Sequence, residues 1–306
     1  MHPAFSVIFF TVFSGAGYGL WMWLGLMTVA GTAPTRAVAI TALLLGSACV
    51  GAGLLSSLLH LGKPLRAWRA FSQWRSSWLS REGIAAVLGF LPAAWLGWAL
   101  WTAGEARPAA ALLVVLSLAT VICTAMIYAS LKPIPAWRHP LVVPIYILLS
   151  LLTGGLLLLM LLALHGAPLA PWSLFAVLVG CVTFWRLKSH TWRWIDRGAL
   201  PVTRNSALGL PADRQVTVFE RPHTEANYLL KEMGFVLARR HATKLRRLAV
   251  ALGAALPALC VLVPWLLPSA QPAPWLLLAA VAMMAGALVE RWLFFAQARH
   301  LVTLYY

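Results

Sequence analysis

The chain has 306 residues, 61% of them hydrophobic and only 10% charged, against roughly a quarter charged in an ordinary soluble domain. Twenty-four Lys and Arg against eight Asp and Glu give a formal charge of +16, and the mean hydropathy is +0.81. These values exclude a soluble enzyme, a disordered chain and a disulfide-stapled secreted domain. The long uncharged runs also argue against nucleic acid as the partner behind the basic charge, and for a multi-span membrane protein whose surroundings are the lipid bilayer. Cys49, Cys123, Cys181 and Cys260 each stand alone in an apolar stretch, which suggests neither a metal site nor a disulfide framework.

A helix needs about 20 apolar residues to cross the hydrocarbon core. Eight spans are expected in chain order, at about 5–30, 37–59, 84–103, 109–131, 141–164, 171–187, 248–267 and 274–295. The sixth and eighth are the shortest. The first lacks the basic leader of a signal peptide and has a longer apolar run, so it counts as the first membrane helix. The runs are apolar throughout rather than alternating, which excludes a membrane barrel. The expected fold is thus all-α: one integral membrane domain over 1–306, an eight-transmembrane-helix bundle with a long basic loop, 188–247, between helices six and seven.

The Lys and Arg residues set the orientation. Loop two carries Lys63, Arg66, Arg69, Arg75 and Arg81, loop four Lys132 and Arg138, residues 186–247 thirteen more, and the C-terminal end Arg291 and Arg299. The other face has Arg36 and Arg107 alone, a division of 22 against 2. Because positive loops stay inside, both termini and loops two, four and six are expected to be cytoplasmic, in a bacterial inner membrane. Many of the 16 Trp, among them Trp68, Trp74, Trp78, Trp192 and Trp292, fall near span ends as an aromatic belt. Within loop six, residues 224–247 read as an amphipathic helix with Leu229, Met233, Val236 and Leu237 on one face. Arg239, Arg240 and Lys244 crowd its C-terminal end, suited to anionic headgroups or to a partner protein.

No catalytic triad, phosphate loop or metal motif occurs, so the candidates are ionisable groups at span edges, where each needs a partner or a function. His60 ends the second span and Glu82 opens the third, at the same membrane face, with Trp78 and Arg81 beside Glu82. An imidazole and a carboxyl there can hydrogen-bond a quinone's oxygens and exchange protons with them. Equally, His60 can simply cap helix carbonyls and Glu82 pair with Arg81. The run Ser14-Gly15-Ala16-Gly17-Tyr18-Gly19 reads first as helix packing, with Tyr18 also able to donate to a ring oxygen. Glu290-Arg291 reads as a local ion pair or as part of a proton path, the pair being simpler. All eight His lie at span ends or in loops, so no haem is expected. A secondary transporter would place ionisable groups deep in several spans and show paired broken helices, and neither is seen.

The segment His60-Leu61-Gly62-Lys63-Pro64-Leu65-Arg66-Ala67 resembles a signature of the membrane-anchor (C) subunits of dimethyl sulfoxide reductase-type molybdoenzymes. The opening Met1-His2-Pro3-Ala4-Phe5, the turn at Met126–Pro133 and the ending Glu290–Phe295 extend the resemblance through nearly the whole chain. The enlarged sixth loop resembles the sulfite:quinone oxidoreductase branch. The resemblance implies an anchor without haem that exchanges electrons with menaquinone or ubiquinone. It also implies two partners, a four-cluster ferredoxin-like iron–sulfur subunit and a molybdopterin catalytic subunit that holds the sulfur chemistry. It places the quinol-site histidine on His60 and the acidic residue on Glu82. Arg66, Arg69, Arg239, Arg240 and Lys244 are the expected docking residues for the iron–sulfur subunit. The branch alternatives are sulfite oxidation, favoured, and menaquinol oxidation in a dimethyl sulfoxide reductase. An anchor with no quinone role stands apart from both.

Overall fold

The computed structural model describes residues 4–59, 61–198, 200–217, 219–220, 241–267 and 269–304. Among these every regular element is a helix. In chain order they are α1 (Phe5–Val29), α2 (Arg36–Leu58), a 3-10 helix (Pro64–Gln73), α3 (Trp78–Thr102), α4 (Arg107–Ala129), α5 (Val142–Leu164), α6 (Pro171–Arg197), the short α7 (Arg204–Ala207), α8 (Ala242–Leu266) and α9 (Pro272–Ala296). Seven of them (α1 to α5, α8 and α9) are long and apolar enough to cross a membrane. The remaining expected span is α6, a 27-residue helix whose apolar stretch gives way to Arg186 and Lys188.

Local chemistry explains where the helices start and stop. α4, α6 and α9 each open on a proline in the first turn, where the missing N–H has no helical partner to lose. Gly31 after α1 and Gly166 after α5 take left-handed backbone angles that let the chain turn sharply. Inside α8 the hydrogen bonding loosens to a π turn at Ala251–Ala255 just before Pro257. Proline cannot donate to the preceding turn and its ring crowds the carbonyl there, so the wider turn absorbs it. The helix expected over 224–247 lies largely outside the described residues. From Ala242 onward α8 is one continuous helix, so Lys244, Arg246 and Arg247 stand on its first turns.

α1 is the axis of the bundle, packed against α2, α4, α5 and α9. Its small residues make this possible. A methyl group on Gly19 would meet the backbone of Ser150 on α5, and one on Gly154 would meet the backbone of Gly19 and Leu20. The two helices therefore cross at van der Waals contact of their main chains, and Ser150 Oγ donates to Gly15 O at 2.5 Å across the joint. The small-residue run is thus built for packing. α3 and α4 pair on one flank of α1, while α8 and α9 pair on another.

The link between α4 and α5 includes a buried histidine. His139 Nδ1 accepts a hydrogen bond from Leu141 N–H at 3.2 Å, and its ring rests against Trp194 and His190 of α6. Burial, then the neighbouring His190 and Lys188, hold its pKa below the usual imidazole value. His300, whose Nδ1 accepts from Val302 N–H at 3.0 Å, is lowered by burial as well.

Two outcomes follow from this packing. Gly154→Val forces the α1–α5 crossing apart and is expected to cost about 3 kcal/mol, whereas Gly51→Ala adds a methyl where no atom lies within 4 Å and leaves stability nearly unchanged. Thermal unfolding of the detergent-solubilised protein reads the difference. For His139 the unfolded chain, titrating near 6.5, binds the extra proton first. The stability due to neutral His139 is therefore complete above about pH 6.5 and is lost as pH falls toward the lower folded value. Wild type should lose thermal stability between pH 7 and 5.5, and His139→Asn, which keeps the acceptor but cannot titrate, should lose less; equal losses would rule this out.

Candidate functional site

The 3-10 helix Pro64–Gln73 folds over the first turn of α3. Ser80 Oγ donates to Ala70 O, and the Phe71 ring lies over Gly83. The glycine leaves room for the ring and so fixes the loop on the helix. Arg81 points back into this loop rather than toward its neighbour. Its guanidinium lies 4.4 Å from the centre of the Trp78 ring, Nε donates to Trp74 O at 2.9 Å and Nη2 donates to Arg75 O at 2.6 Å. Arg81 and Trp78 brace the loop, and the simple Arg81–Glu82 pair does not form. Leu65, Trp68 and Trp74 remain exposed beside the exposed Arg66 and Arg69.

Glu82, one residue further along, turns into the bundle and is 4% exposed. Thr124 of α4 donates to Glu82 Oε1 at 2.5 Å, joining α3 to α4. Tyr18 of α1 is buried and lies close enough to Glu82 to feel its charge. Tyr18 also stands beside Thr120, but that hydroxyl donates to Leu116 O and no well-formed hydrogen bond reaches the phenol. Of the five residues expected at the site, Glu82 and Tyr18 are both buried in the interior, Trp78 and Arg81 brace the loop, and His60 lies outside the described residues. Arg239 and Arg240 lie outside them too, while Lys244 is exposed on the first turn of α8.

A second polar centre lies across the bundle. Glu290 of α9 is completely buried, with Lys188 Nζ of α6 at 2.5 Å from Oε1 and Arg291 Nε at 3.3 Å from Oε2. The Arg291 guanidinium stacks 3.5 Å from the centre of the Tyr146 ring, and Lys188 lies over Trp192 at 5.1 Å. The Glu290–Arg291 pair read from the sequence is therefore a triad completed by Lys188. Sequence reasoning assigned Lys188 to the basic loop. The signal available was its distance from Trp185, a single helical turn past the apolar stretch.

The two centres face one cavity of about 20 Å³ lined by Tyr18, Thr124, Tyr146, Ser150 and Arg291 among others. That is room for a water molecule, not for an aromatic ring. Among the described residues no cluster of three or more His, Cys, Asp or Glu side chains is arranged to hold a metal ion.

The fold and these buried ionisable side chains define a class: a multi-span helical membrane protein with acid–base groups gathered toward one end of the bundle. Comparison with known proteins narrows it. The family described as DMSO reductase anchor subunit (DmsC) matches residues 1–297, and the chain belongs to that family. It is 34% identical to the C subunit of the sulfite dehydrogenase of Allochromatium vinosum over 100% of this chain and 99% of that protein. It is 32% identical to the C subunit of the anaerobic dimethyl sulfoxide reductase of Escherichia coli K12 over 36% of this chain and 39% of that protein. The protein is a membrane anchor of the dimethyl sulfoxide reductase family, homologous to a sulfite dehydrogenase subunit.

Proposed function

We propose that this protein is the quinone-reactive anchor of a three-subunit molybdoenzyme, passing electrons between an iron–sulfur subunit and the membrane quinone pool, most directly in sulfite oxidation. The observation that carries the reading is the buried Glu82 carboxyl, hydrogen-bonded by Thr124 at the start of α3, directly after the loop that bears the family signature. End-to-end identity with a sulfite dehydrogenase subunit, against a partial match to a dimethyl sulfoxide reductase subunit, supports the sulfite branch. In this reading α6 is the eighth span, both termini and the loops bearing Glu82 and Lys188 face the cytoplasm, and the membrane is the bacterial inner membrane.

The residues suit the task. A bound quinone, menaquinone or ubiquinone, supplies a two-electron, two-proton couple. Glu82 can take up or release a proton at Oε2 while Thr124 occupies Oε1. His60, at the end of the second span, offers a titratable nitrogen on the same face. Tyr18 brings a hydroxyl free to donate. Trp78 and Arg81 hold the loop that packs on the first turn of α3, beside Glu82, and the water-sized cavity beyond is too small for the ring. The exposed Arg66, Arg69 and Lys244, with Arg239 and Arg240, give the same face a positive surface for an acidic partner, the four-cluster iron–sulfur subunit that in turn bears the molybdopterin subunit.

In the purified complex, Glu82→Gln and His60→Ala are each expected to lower quinone-coupled turnover at least tenfold, about 1.4 kcal/mol or more in barrier, with turnover on an artificial dye unchanged. An anchor without a quinone role predicts equal rates. The charge-reversal set Arg66→Glu, Arg69→Glu and Lys244→Glu should release the iron–sulfur subunit at moderate salt, measured by co-purification; a complex that stays whole would exclude docking on this surface.

A further inference from the structure

The polar groups described above are not two separate centres. They form one line through the interior, and its links can be followed side chain by side chain. Thr124, hydrogen-bonded to Glu82, lines the first cavity together with Tyr18, Tyr146 and Arg291. Three buried polar atoms around it, Tyr18 Oη, Tyr146 Oη and Arg291 Nη1, have no well-formed hydrogen bond to protein. Arg291 also lines a second cavity of about 20 Å³, with Lys188, Thr191, Glu290 and Gln297. Gln297 in turn lines a third, open cavity of about 390 Å³, where Arg246 forms a two-pronged ion pair with Asp196 at 2.6 and 2.9 Å and donates to Gln297 Oε1 at 3.4 Å. The buried Gln297 Nε2 has no partner either.

Each small cavity is the size of a water, and each is rimmed by several hydrogen-bonding groups, the condition under which buried water is stable. Arg291 and Gln297 are shared between successive cavities, so a hydrogen-bonding side chain stands at each junction. Packing does not require such an arrangement: apolar side chains would fill the same space without the desolvation cost of burying Lys188, Glu290, Arg291 and Gln297.

We propose that the line from the Asp196–Arg246 surface cavity through Gln297, the Lys188–Glu290–Arg291 triad and the Tyr146–Tyr18 cavity to Thr124 and Glu82 is a proton path that serves the quinone site. This deepens the reading of Glu82 given above and rests on it. One proton travels for each electron delivered by the partner's reduced iron–sulfur centre, so two protons and two electrons meet a quinone to give the quinol; quinol oxidation returns them in reverse. Water carries the proton past the triad, Lys188, Glu290 and Arg291 hold the waters in place, and Thr124 hands the proton to Glu82.

The test uses the intact complex and two readouts. One is the rate at which Glu82 changes protonation after a pH jump, followed by its infrared carboxyl band and assigned by the loss of that band in Glu82→Gln. The other is quinone-coupled turnover, with affinity for a tight-binding quinone analogue as a control. Tyr146→Phe and Gln297→Leu keep every charge. The double variant Lys188→Met with Glu290→Gln leaves the net charge of the triad unchanged and keeps an amide oxygen beside Arg291, so it remains informative if Glu290→Gln alone does not assemble. The expected result is at least a tenfold slower Glu82 response and a matching loss of turnover in Gln297→Leu and in the double variant, at unchanged analogue affinity. Unchanged Glu82 kinetics in all three variants overturns the path while leaving the quinone site standing. If Glu82→Gln itself changes neither analogue affinity nor turnover, the quinone site falls, and the path as a supply line falls with it.

Discussion

A carboxylate held between two cations inside a helical bundle sets the terms for the structure around it. Glu290 is inaccessible to solvent, and both of its oxygens are engaged, by Lys188 from α6 and by Arg291 from its own helix. Removing one partner from such a set leaves an uncompensated buried charge and costs about 3–5 kcal/mol. The triad has one positive charge more than negative. The Tyr146 ring beneath Arg291 and the Trp192 ring near Lys188 offer their electron-rich faces to that surplus. Glu82 is the other buried carboxyl among the described residues, and Tyr146 lies within electrostatic reach of Glu82, Glu290 and Arg291 alike. The two centres thus share one electrostatic environment.

The backbone makes room for this arrangement. The α1–α5 joint is so close, through Gly19 and Gly154, that Tyr18 on α1 and Tyr146 on α5 line a single cavity. On the far flank Gly253 of α8 packs on Gly286 of α9, and Phe184 of α6 rests on Gly253. That contact brings α6 near enough for Lys188, one turn beyond Phe184, to reach Glu290. Small residues at crossings and charges beside them are two parts of one design: without close main chains the polar side chains would not meet.

Much of this was legible in the sequence, and the limits have a physical cause. Span positions, the small-residue run in α1 and the loop before Glu82 follow from hydropathy, residue size and charge, which are one-dimensional properties. Pairings across helices depend on rotational register, which a uniformly apolar span does not encode. Thr124 resembles any membrane threonine bonding back to its own helix, as it can to Thr120 O, and only the fold sets it opposite Glu82. Arg81 and Glu82 are adjacent in sequence, yet successive helical positions point about 100° apart, and one turns to the loop while the other turns inward. Lys188 read as a loop cation because its partner lies 102 residues away, on α9.

The distribution of polarity along the bundle bears on energy coupling. Short connections make successive spans antiparallel, so Glu82, Thr124, Tyr146, Arg291 and Gln297 all fall in the half nearest Ala4 and Ala296. The opposite half of the same helices is filled by Leu20, Trp21, Leu24, Leu113, Leu156 and Leu276, all fully buried. A proton entering near Asp196 finds hydrogen-bonding groups as far as Tyr18 and then meets hydrocarbon, where an ion costs far more than thermal energy. In the proposed complex, with the electron donor docked on the same face, protons and electrons reach the quinone from one side.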